Sequence, residues 1–129
     1  MPRVAHFEIH ASEPKKVQEF YSEMFGWKFQ SYGPPDSYWL IMTESGDEPG
    51  INGGLVPRRG PSADSGQPVN AYVCTIMVDS ARDSATKAAS LGGTEALPLM
   101  AIPGVGWLVY MKDPDGNIFG MMQADTAAA

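Results

Sequence analysis

The same order of local patterns runs through this chain twice, and that repetition constrains its fold more than any single motif. Val4 to His10 alternates in polarity and is rich in strand formers, which predicts a first strand. Ser12 offers a helix N-cap, and Pro14 falls where a first helical turn tolerates proline. Val17, Phe20, Tyr21 and Met24 then recur at i, i+3, i+4 and i+7, the apolar stripe of an amphipathic helix that Gly26 ends. Three extended segments follow, around Trp27–Tyr32, Tyr38–Thr43 and Ile51–Val56, with Gly53 and Gly54 read as turn or bulge glycines.

The second round begins with a strand over Ala71–Val78 and a helix capped by Asp79 or Ser80. Ala81, Ala85 and Ala88 supply its stripe, and Leu91–Gly92–Gly93 closes it. Further strands are expected around Thr94–Met100, Gly106–Lys112 and Asn117–Gln123, with a turn at Asp113–Pro114–Asp115–Gly116. Pro57–Pro68, rich in Pro, Gly and Ser, reads as the connection between the rounds. The expected organisation is one domain over residues 1–129, with a first βαβββ module at 1–58, a linker at 59–69 and a second module at 70–124. A four-stranded sheet with one helix leaves an open apolar face, so each module needs something to pack against.

Charge narrows the partners. Nine basic residues against 15 acidic ones leave a net charge of −6. Without a basic stripe there is nothing to displace counterions from a phosphate backbone or to hold an anionic membrane surface. Neither nucleic acid nor membrane is therefore expected as a partner, and a small-molecule ligand is. The single cysteine, Cys74, cannot form an internal disulfide and is expected beneath the second helix. No apolar run approaches the roughly 20 residues of a membrane helix, and Met1–Pro2–Arg3 lacks the character of a signal peptide. A cytoplasmic protein is the expectation.

Two stretches then point to a family. The opening pairs His6–Phe7–Glu8–Ile9 with a helix ending Phe20–Tyr21–Ser22–Glu23–Met24–Phe25–Gly26–Trp27, and the chain closes on Asp113–Pro114–Asp115–Gly116–Asn117–Ile118–Phe119–Gly120. At these distances, and with the repeated element order, the chain resembles the vicinal oxygen chelate superfamily of glyoxalases, bleomycin-resistance proteins and dioxygenases. The resemblance implies an α+β fold of two βαβββ modules forming curved sheets around a central cavity, often with modules paired in a homodimer. It also implies four metal-ligand positions, one on the first strand and one on a late strand of each module. Carried onto this sequence, they fall at His6, near Val73, at Gly120, and within Tyr38–Thr43 or Ile51–Val56, which contain no His, Asp or Glu. One position of four holds a metal-binding side chain, and a catalytic zinc site typically uses three. No cofactor is expected, and any divalent metal would have to start from His6.

His6, Glu8 and His10 share one strand face because strand side chains alternate. They could hold a metal in an unconventional way, or Glu8 could act as a general base, or the three could recognise a polar group on a ligand. Tyr38, Trp39, Trp107, Gly120 and Met122 are the other candidate ligand contacts, as aromatic, methionine or space-giving positions of a concave pocket. Arg58 and Arg59 in the linker could reach an anion, although solvated loop charge is the commoner outcome. The preferred reading is a small-molecule binder taking an apolar or aromatic ligand. A metal-dependent lyase, isomerase or dioxygenase using His6, Glu8 and His10 is the alternative, and an interaction domain with a vestigial cavity is the third.

Overall fold

Residues 2–43, 46–47, 49–64, 66–68 and 72–129 are described by the computed structural model of the chain. Ala71, expected in the fifth strand, lies outside them, as do residues 69 and 70, where the linker was expected to meet the second module. The chain divides into two compact units, one over His6–Tyr72 and one joining Val73–Ala129 to the residues ahead of His6.

The first module runs β1 (Arg3–Ala11), α1 (Pro14–Phe25), β2 (Lys28–Ser31), β3 (Trp39–Met42) and β4 (Gly53–Pro57). β2, β3 and β4 form an antiparallel meander, and β1 adds to β4 in parallel, with Glu8 opposite Gly54. The second module repeats this with β5 (Val73–Met77), α2 (Ala81–Ser90), β6 (Thr94–Ile102), β7 (Gly106–Lys112) and β8 (Ile118–Ala124). Again the last three strands are antiparallel and the first lies parallel to the last, with Thr75 opposite Gly120. The expected α+β class and the two βαβββ modules are both observed. Gly53 and Gly54 are corrected: they are buried residues of β4, not turn or bulge positions.

Period-two alternation decides each core. In the first module Phe7, Ile9 and Ala11 of β1 are buried with Trp39, Ile41 and Leu55, and Val17 and Tyr21 of α1 pack on them with Trp27 and Phe29. Burying Ile41 or Leu55 completely contributes about 1.5–3 kcal/mol each. Only half of the expected α1 stripe is used. Phe20 and Met24 stay more than half exposed, because the helix rests on its Val17–Tyr21 edge. The expected cap also differs: Glu13 occupies the N-cap position without a side-chain bond, and Pro14 takes N1. Ser12 instead meets Ser62 hydroxyl to hydroxyl. Gly26 ends α1 in the left-handed region at φ 74°, its N–H donating to Ser22 O at 2.9 Å.

In the second module Ala81, Val109, Met111 and Met121 are buried, with Ala85, Ala88, Trp107 and Phe119 packed around them. Ser80 is the N-cap, its Oγ accepting from Asp83 N at 3.1 Å. Among the described residues no helix is long and apolar enough to cross a membrane.

Candidate functional site

The face of the first module opposite α1 carries His6, Glu8 and His10, set there by the same alternation that buries Phe7 and Ile9. The strand register adds Gly54 and Val56 of β4, and Leu40 and Met42 of β3, to that face. Glu8 is the most enclosed of the polar three, its side chain 15% exposed against 33% for His6 and 38% for His10. Its carboxylate lies 3.9 Å from the Nε2 atoms of both histidines, close enough for charge pairing with a protonated ring but too far for a hydrogen bond.

Tyr38, just ahead of β3, completes the cluster. Its hydroxyl stands 3.3 Å from His6 Nε2 and 3.3 Å from Glu8 Oε2. A carboxylate can only accept, so the tyrosine proton goes to Glu8 and its oxygen accepts from an Nε2–H tautomer of His6. The glycine at position 54 makes this possible. A Cβ built there would fall 1.7 Å from the Tyr38 hydroxyl and 2.2 Å from Cζ, so any other residue would occupy the space the phenol fills. The sequence carried a signal for this, since a glycine inside a strand often marks a close approach by another group.

The remaining candidates fall elsewhere. Trp39 is 6% exposed and faces α1, with Lys15 Nζ 5.6 Å over its ring. Trp107 belongs to the core under α2, and its Nε1 donates to Asp125 Oδ2 at 3.0 Å, one of the bonds that hold the Asp125 carboxyl below its usual range. Both tryptophans thus serve the helix side of their own modules rather than the opposite face. Gly120 and Met122 do lie on the face of the second module away from α2. A Cβ at Gly120 would stand 2.9 Å from Thr75 Oγ1 and 3.0 Å from the Tyr110 ring. Met122 is paired with Met77 and Leu108. Each module therefore has a glycine in its last strand, Gly54 opposite Glu8 of β1 and Gly120 opposite Thr75 of β5, with a tyrosine against it.

A family model for the glyoxalase-like domain matches residues 6–122. The chain belongs to the glyoxalase-like domain family. It is similar in fold to a glyoxalase/bleomycin resistance protein/dioxygenase superfamily member from Vibrio splendidus 12B01, at 15% identity and a TM-score of 0.60, covering 97% of this chain and 100% of that one. It is likewise similar to the Mn(II)-bound glyoxalase of Novosphingobium aromaticivorans, at 17% identity and a TM-score of 0.62. A third similar structure is homoprotocatechuate 2,3-dioxygenase of Brevibacterium fuscum in complex with 3,4-dihydroxyphenylacetate, at 19% identity and 0.63. The match covers 100% and 98% of this chain but only 42% and 37% of those two. No curated protein sequence matches it.

The similar glyoxalase of Novosphingobium aromaticivorans is Mn(II)-bound, and a metal in this chain would need donor atoms from the side chains present. Val73 offers no donor atom. At Gly120 and Gly54 the last strands offer none either, and a tyrosine ring or hydroxyl occupies the space where a ligating side chain would start. Among the described residues no three His, Cys, Asp or Glu side chains are arranged to hold an ion. The residues present do not fit the metal site that the resemblance implies.

Proposed function

We propose that this glyoxalase-like domain binds a small, largely apolar or aromatic molecule on the His6–Glu8–His10 face of its first module. One observation carries the reading: the Tyr38 hydroxyl, seated over Gly54, links His6 to Glu8. That contact orients a carboxylate on the sheet face it shares with Leu40, Met42 and Val56. A ligand N–H or O–H brought to Glu8 makes a charge-assisted hydrogen bond, while the apolar neighbours cover its carbon skeleton. His6 and His10 flank the carboxylate and discriminate by shape and by their own ring nitrogens.

The test is a thermal-shift screen of hydroxylated and heteroaromatic small molecules, followed by calorimetry on the best of them. Glu8→Gln is expected to weaken that ligand by about tenfold or more, as loss of a charged acceptor does. Equal affinity in the Glu8→Gln and parent proteins would sink the proposal. Metal content of protein prepared without a histidine tag gives a second arm. Stoichiometric metal lost on His6→Ala would replace ligand recognition with a metal-dependent lyase, isomerase or dioxygenase built on His6, Glu8 and His10.

A further inference from the structure

A cleft of about 480 Å³ opens on the helix side of the first module, between the end of β1, the start of α1 and the segment that leaves β4. That volume suits a small organic molecule. Ile9 and Ala11 line it from β1, on the opposite side of the strand from Glu8. Phe20, Tyr21 and Tyr72 give it an aromatic wall: Phe20 meets Tyr21 edge to face at 5.1 Å, and the Tyr72 hydroxyl donates to that of Tyr21 at 2.8 Å. Phe20 is 56% exposed and Tyr72 42%, so the wall presents apolar surface to solvent.

The charged groups of the cleft lean positive in a chain whose net charge is −6. Arg58 is anchored by donating from Nη2 to His10 O at 2.8 Å, and its backbone N–H donates to Ala11 O. Its Nε is buried with no hydrogen-bond partner, and among the described residues no carboxylate lies within ion-pair distance of it. Lys16 and Glu13 also line the cleft and pair with each other at 3.2 Å, so they offset, leaving the Arg58 charge uncompensated. The N-terminus of α1 opens here with no side-chain cap and no acidic residue in its first turn, and the helix dipole adds positive potential.

We propose that this cleft binds a small planar aromatic carboxylate, its anion on the Arg58 guanidinium and its ring against Phe20, Tyr21 and Tyr72. Guanidinium is the side chain best matched to a carboxylate, and a fixed one loses less freedom on binding. The exposed aromatic wall supplies a face on which a planar ring packs. The site is separate from the Glu8 face and has the opposite preference, since a carboxylate ligand would be repelled there.

The test is calorimetric titration of the whole chain with benzoate at low salt, alongside acetate, which has the charge without the ring, and benzyl alcohol, which has the ring without the charge. Benzoate is expected to saturate a single site, with both controls about tenfold weaker or more. Arg58→Gln is expected to weaken benzoate at least about tenfold, and Lys16→Gln, at an exposed pair, only about twofold. Phe20→Ala removes a ring that is 56% exposed and outside the buried core cluster, so it tests the wall even if Arg58→Gln fails to fold. Amide shifts on titration are expected at Ser12, Lys16, Phe20 and Tyr72. The proposal is overturned by no saturation up to about 10 mM benzoate, by acetate binding as well as benzoate, by unchanged affinity in Phe20→Ala, or by shifts centred on Glu8 and Gly54.

Discussion

Replacing Gly54 by alanine isolates the contact on which the Glu8 cluster depends. Gly54 is not among the residues with positive φ, so alanine suits its backbone, and any penalty is steric. The new Cβ would stand 1.7 Å from the Tyr38 hydroxyl and 2.2 Å from Cζ, forcing the phenol off the strand. Overpacking of this kind costs about 1–3 kcal/mol. Displacing Tyr38 also gives up its contacts to His6 and Glu8, long bonds at 3.3 Å that fall at the weak end of about 0.5–1.5 kcal/mol each. Against this, removing a glycine restricts the unfolded chain and stabilises by about 0.4–1 kcal/mol. The net expectation is a loss of about 1–3 kcal/mol. Urea unfolding measures it, with an unchanged slope showing that only stability moved. The double-mutant cycle is the decisive part. In a Tyr38→Ala background the clash is gone, and Gly54→Ala is expected to be neutral or stabilising, a coupling of about 1–3 kcal/mol. If Gly54→Ala destabilised equally in both backgrounds, the penalty would lie in the strand itself and the tyrosine-over-glycine argument would be refuted.

The two helix starts give a contrast: Ser80→Ala is expected to cost about 1 kcal/mol in urea unfolding, because Ser80 caps α2, whereas Ser12→Ala stays within about 0.5 kcal/mol, because α1 has no side-chain cap. Partial desolvation of the hydroxyl, reinforced by the hydrogen bond to Tyr21, pushes Tyr72 up to about 12 from its ordinary 10 although the ring stays partly exposed. The folded protein then binds its proton more tightly than the unfolded one, so this contribution is complete below about pH 10 and is lost as pH rises towards 12. Comparing ultraviolet titrations of the parent and Tyr72→Phe is expected to show the loss of one tyrosine that ionises near pH 12. Asn117 holds the Asp113 carboxyl below its usual range, first through its side chain and then through its backbone N–H. Stability from that turn is present above the ordinary carboxyl pKa and lost as pH falls through the lowered one, so Asp113→Ala is expected to lower the melting temperature at pH 7 and to converge with the parent at strongly acid pH.

The repeat and both helices were legible because they rest on period and composition, which need no knowledge of what lies across the sheet. Gly26 announced the end of α1 for the same local reason. What tertiary contact decides was harder to read. Phe20 and Met24 fit the helical stripe as well as Val17 and Tyr21 do, but only the edge facing Phe7 and Trp27 is covered. Trp39 and Trp107 looked suited to a pocket, yet strand register turns both towards the helices. The polar face was found by alternation alone, from His6, Glu8 and His10. The part played by Tyr38 was not, since its link to Glu8 depends on the empty space at Gly54 in a strand far along the chain. For Arg58 the sequence leaves solvated linker charge and contact with an anion both open, and nothing local in it shows that the side chain turns back onto the His10 carbonyl.

The parallel seams also bear on how the chain reaches this structure. Each three-strand meander joins neighbours in sequence, but pairing Phe7 with Gly53, or Thr75 with Gly120, closes a loop spanning almost a whole module. Loop closure on that scale loses chain entropy before any contact repays it, so non-local pairings of this kind slow folding. The first strand of each module is thus the natural last arrival. Conservative truncations in the meanders are expected to slow refolding, while those at Ile9 in β1 or Ile76 in β5 chiefly speed unfolding. Early docking of β1, seen as a high φ-value at Ile9, would reverse that order.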